Sequence, residues 1–96
     1  MASSKEYLLY VQELLREVDG ISYKRMMGEY IIYKDSVIVG GIYDNNFLIK
    51  KTKSLENSGF SMQIPYPNAK PMLVVYIEDS REICEIINQV YNDLKK

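Results

Sequence analysis

With 96 residues, twelve basic against thirteen acidic side chains and a net charge of −1, the chain is sized for one hydrophobic core and carries no global field for a polyanion. An apolar fraction of 47% argues against disorder, and no apolar run reaches the length of a membrane span. The absence of histidine and the single cysteine, Cys84, exclude a histidine-dependent triad, a histidine proton shuttle and an internal disulfide, and leave no metal-ligand spacing, so no cofactor is expected.

The amino-terminal stretch turns charged at Lys5-Glu6, where a signal peptide would become apolar, and a reducing cytoplasm is the expected location. Tyr7, Leu8, Val11, Leu14, Leu15 and Val18 then recur at spacings of three and four, predicting a helix over 4–18. Ser3 and Glu6 have the spacing of a capping box, and Gly20 is a natural stop.

After Ile21 the pattern becomes β-branched and aromatic, interrupted by the polar turns Lys34-Asp35-Ser36 and Asp44-Asn45-Asn46. This predicts a three-stranded antiparallel meander over 27–33, 37–43 and 47–51, with a lead-in over 23–26. Gly28, Gly40 and Gly41 read as places where the sheet bends or a neighbour approaches closely. Residues 52–58 suit one or two helical turns closed by Gly59. Pro65 and Pro67 favour an extended loop or edge segment over 60–70, with room for a short extra strand near 60–64. Pro71 leads into the apolar run 72–77, an interior strand. A final helix buries Ile83, Ile86, Ile87, Val90 and Leu94; Asp79 and Glu82 form a capping pair, and Lys95 and Lys96 complement its dipole. The sum is an α+β, two-layer sandwich in the order α-β-β-β-α-β-α, a single domain over 1–96 with both long helices on one face of a mostly antiparallel sheet.

Few residues carry evident chemistry. Cys84 lies among helix isoleucines and reads as a small apolar residue. Glu78-Asp79 fall at a helix start and Glu13 with Glu17 on a polar helix side, which points to capping and solvation. Lys50, Lys51 and Lys53 form the one local basic run, which Lys24, Arg25 and Lys34 join if the strand ends meet, and are the candidate nucleic-acid contacts. Nine tyrosines in so short a chain suit half-buried positions and interfaces, with Tyr30, Tyr33, Tyr43, Tyr66 and Tyr76 as the candidate interface or ligand-groove set.

Met26-Met27-Gly28, Tyr33-Lys34-Asp35, Phe47-Leu48-Ile49-Lys50, Ser58-Gly59-Phe60, Pro65-Tyr66, Pro71-Met72 and Tyr76 together resemble the amino-terminal domain of the TfoX/Sxy competence regulators over nearly the whole chain. In that comparison Met27, Gly28, Gly40, Gly41, Gly59 and Pro71 belong to the structural motif. Ile77-Glu78-Asp79 stands where family members often carry a proline. The resemblance implies a non-enzymatic domain acting through protein contacts or self-association, as a transcriptional co-regulator related to competence. Full-length members add a carboxy-terminal module resembling helix-hairpin-helix domains, for which this sequence, ending at Lys96, has no counterpart. Direct DNA binding through Lys50, Lys51 and Lys53 is the alternative, and a small-ligand pocket lined by tyrosines a third.

Overall fold

The computed structural model describes residues 3–95, which run α1 (Lys5–Leu14), β1 (Ile21–Met26), β2 (Glu29–Lys34), β3 (Val37–Tyr43), β4 (Asn46–Ile49), a 3₁₀ turn (Lys53–Leu55), β5 (Met62–Gln63), β6 (Met72–Val74) and α2 (Ser80–Lys95). The strands form one antiparallel sheet in the order β1-β2-β3-β4-β6-β5. The predicted α+β order holds, including the interior position of β6 and the short strand near 60–64. The dipole role expected of Lys96 lies outside the described residues. The Cα radius of gyration, 12.2 Å, matches the ~12.5 Å expected for a compact unit of this length.

Three hairpins set the register. Met26 pairs with Glu29, Lys34 with Val37 and Tyr43 with Asn46, so each connection has two residues. Both central residues have positive φ in all three: Met27 53° and Gly28 85°, Asp35 47° and Ser36 70°, Asp44 51° and Asn45 58°. This is the signature of the type I′ turn, whose twist matches that of the flanking strands. The two polar turns fall where the sequence placed them. The meander, however, has four strands, because Met27-Gly28 is itself a turn and does not open a strand, and the lead-in over 23–26 is part of the full strand β1.

Helix α1 is shorter than the periodicity implies. After the cap at Leu15, Arg16 and Val18 donate to the carbonyls of Glu13 and Leu15, three residues back, so the chain tightens into turns that still bury Leu15 and Val18. Its N-cap is Ser4, whose side chain accepts from the Tyr7 amide, and the Ser3–Glu6 capping box does not form. Ser3 instead donates to Glu29 at 2.6 Å and accepts from the Asn45 amide, pinning the start of the chain to two hairpin turns. At α2, Asp79 accepts from the Arg81 amide at 2.9 Å, as expected of a cap, and Ser80 donates to Glu17. Leu94, expected in the core, is exposed.

The core lies between both helices and one face of the sheet: Val11, Leu14, Leu15, Ile83, Ile87 and Val90 against Ile32, Val39, Ile42, Phe47, Ile49 and Leu73. Val39 is there because of a bulge. Ile32 pairs with Gly40 but Tyr33 with Ile38, leaving Val39 as the extra residue. With Val39 filling the core, a β-carbon at Gly40 would run into the Leu48 carbonyl oxygen.

Replacing Gly40 by alanine should therefore cost about 1–3 kcal/mol, the usual penalty of overpacking, seen as a lower urea midpoint at unchanged m-value; an unchanged midpoint would contradict the close approach. A second expectation concerns alkali. Tyr23, opposite Ile32 on the helix side, has its phenol pushed up to about 12 by burial from the ordinary 10.0. The folded state thus holds this proton more tightly than the unfolded chain, a contribution present below pH 10 and lost as pH rises from 10 toward 12. Tyr23→Phe should make the fall in stability across that window shallower than in the wild type, measured by denaturant titration at each pH.

Candidate binding groove

Among the described residues no helix covers the opposite face. Leu48, Met72 and Val74 form a small buried cluster there, with Tyr43 packed against it. Tyr43 lies over Gly41, where a β-carbon would come within 2.5 Å of its ring, so the absence of a side chain at Gly41 lets the tyrosine lie down on the sheet. After β5 the chain returns across this face. Pro65 and Pro67 restrict it, the Ala69 amide donates to the Tyr66 carbonyl, and Asn68 takes a left-handed conformation with φ 70°. Tyr66 thereby comes to 6.2 Å from Tyr43, ring centre to ring centre.

Between this returning segment and the sheet runs an open groove in two connected parts that share Ile31, Tyr43, Pro65 and Tyr66. One part, about 680 Å³, is bordered by Ile38, Lys50, Lys51, Asn68 and Lys70. The other, about 520 Å³, is bordered by Met26, Met27, Glu29 and Pro67. The strand register explains the gathering of lysines. Leu48 pairs with Val74 and Ile49 with Leu73, so the chain leaving β4 through Lys50 and Lys51 runs beside the chain entering β6 from Lys70.

The two ends differ in free charge. The ion pairs among the described residues, Arg16–Glu13 and Lys34–Asp35, involve none of the three groove lysines. The acidic residue of the other end is already engaged: one Glu29 oxygen accepts from Ser3 and the other from the Asp44 amide at 3.0 Å. Tyr43 has its phenol raised, chiefly by burial and then by the neighbouring Tyr66, Glu29 and Tyr33, and so stays a neutral hydrogen-bonding group.

The residues singled out in the sequence divide among several places. Tyr43 and Tyr66 line the groove, and Tyr33 lies close enough to Tyr43 to act on its ionisation. Tyr76 is 74% exposed just beyond β6. Tyr30 faces the helices and belongs to the core, so it is a packing residue and not a surface one. Lys50 and Lys51 line the groove; Lys53 starts the 3₁₀ turn, whose Ser54 is bound to Asp93 of α2. Lys34 is buried, donates to the Asp19 carbonyl at 2.7 Å and lies over the Tyr91 ring. Lys24 and Arg25 are exposed on β1, outside the groove lining. Of the motif residues, Met27 is 96% exposed at its turn, Gly59 has φ 82° and Pro71 lies in the groove wall.

Lys70 and Ile38 carry no signal in the linear sequence, since each joins the groove only through strand pairing. Cys84 is half-buried with its sulfur 3.4 Å from the Glu17 carbonyl, consistent with core-edge packing. Among the described residues no group of three potential metal ligands comes together, and no helix is long and apolar enough to cross a membrane.

No known protein-family model matches this chain, and no curated protein is significantly similar to it.

Proposed function

We propose that this chain is a non-enzymatic protein-interaction domain of the TfoX amino-terminal type, acting in the cytoplasm as a transcriptional co-regulator, with the helix-free sheet face as its docking surface. The observation that carries the reading is the open groove between that face and the segment 65–71, lined by aromatic and apolar side chains. Exposed apolar residues gathered on one face are a property of interaction sites, whereas scattered ones are not. Met26, Met27, Ile38 and Tyr66 all border this groove and are all exposed. The motif residues behind the resemblance also border it, namely Met26-Met27, Pro65-Tyr66 and Pro71-Met72.

Direct DNA contact through Lys50, Lys51 and Lys53 is the weaker reading. It needs the three lysines to work on one surface, and Lys53 is placed beside α2 while the other two border the groove. A catalytic reading has no observation to carry it: the groove's titratable side chains are Lys50, Lys51, Lys70, Tyr43, Tyr66 and Glu29, and both oxygens of Glu29 already accept hydrogen bonds.

The expected outcome of affinity capture from native lysate is a specific protein retained by the wild type and lost with Tyr66→Asp, which places a charge on an exposed groove residue without touching the core. No retained protein, or equal retention by the variant, would contradict the reading.

A further inference from the structure

We infer that the groove takes an extended peptide with acidic residues at one end and apolar residues at the other, the acidic end lying against Lys50, Lys51 and Lys70. This rests on the interaction reading above and adds the partner's chemistry and orientation.

The shape suits an extended chain. The groove follows β3, with Ile38 in its lysine-bearing part and Tyr43 shared by both parts. The five steps from Ile38 to Tyr43 correspond to about 17 Å, which an extended ligand covers with five or six residues. One wall is the sheet and the other is the proline-restricted segment, so the site is formed before a ligand arrives and little ordering cost falls on the protein.

Charge fixes the direction. Three lysines without ion-pair partners among the described residues meet at one end, drawn from the exits of β4 and the entry to β6. Such side chains gain most from carboxylates placed against them on a partly desolvated surface. At the opposite end, Met26, Met27 and Pro67 offer apolar contact. Glu29, the acid lining that end among the described residues, has both oxygens occupied by Ser3 and Asp44, so it neither calls for a cationic partner nor pairs the lysines. A nucleic-acid strand fits less well: it carries charge along its whole length, while half of this groove is apolar and the chain's net charge is −1.

The test is fluorescence anisotropy with a labelled peptide of about eight residues, three glutamates followed by alternating leucine and threonine. Binding is expected, weakened at least about tenfold by the double variant Lys50→Glu, Lys70→Glu. It should also weaken as salt rises. Tyr66→Ala should weaken it without changing the salt dependence. The proposal is overturned if no binding is seen at millimolar protein, or if a peptide with lysines in place of the glutamates binds equally well. Indifference to the double variant, with circular dichroism showing it folded, has the same consequence. Tighter binding of a single-stranded oligo(dT) would assign the groove to nucleic acid, and peptide-free self-association through the same residues, seen by sedimentation, would assign it to a second copy; either overturns the proposal. A lysate partner that depends on Tyr66 while the acidic peptide fails would leave the interaction reading standing and remove this one.

Discussion

The packing of Val11, Leu14, Leu15, Ile83, Ile87 and Val90 from the two helices onto Ile32, Ile42, Phe47 and Ile49 of the sheet is the interaction on which the rest of the molecule depends. Strands about 4.8 Å apart make a six-stranded sheet roughly 24 Å wide, and two helices of about 10 Å each cover nearly all of one face. No other helix longer than one turn is available among the described residues for the second face. Among the described residues that face is finished by the segment after β5, which brings two prolines and a tyrosine to the groove beside Tyr43 and Met72. A chain of this length thus spends its helices on one side, and the groove is the result on the other.

How much of this was legible in the sequence follows from where each instruction resides. Local instructions read clearly: the presence of both helices if not the end of α1, the Asp79 cap, the two polar hairpin turns and the apolar run entering β6. Met27-Gly28 reads as the opening of a strand because methionine rarely adopts positive φ, and only its glycine hints at a turn of the same kind as the other two. The start of α1 was misassigned by one residue because Ser3 and Ser4 both suit a cap. Their roles are divided by a tertiary contact, Ser3 with Glu29, that no local pattern contains. Tyr30 looks like Tyr33, the other tyrosine of its strand, yet its parity places it on the covered side, and with one residue of register the answer reverses.

The groove was the least legible part, for the same reason. Lys50 and Lys51 stood out as a run, but Lys53, their neighbour in sequence, leaves with the 3₁₀ turn toward α2, and Lys70, twenty residues away, takes the place beside them. The antiparallel pairing of β4 with β6 brings them together, and that pairing depends in turn on the core described above. The role of Glu29 is similarly non-local. Within the predicted strand 27–33 nothing marks it out, and in the fold it joins the start of the chain to the β1–β2 and β3–β4 turns, leaving the groove's free charge of one sign.

The central claim, that the uncovered face is a polarised binding groove, is tested most directly by mapping backbone amide chemical shifts by NMR while the acidic–apolar peptide is titrated. The expected result is a continuous set of shifts at Met26–Ile31, Ile38, Tyr43, Lys50, Lys51, Tyr66, 68–70 and Met72, with the amides of α1 and α2 unchanged. Reversing the peptide sequence should leave its acidic end against the same lysines, so that the same set of amides moves. Shifts centred on the helices, or scattered over both faces, would contradict the account.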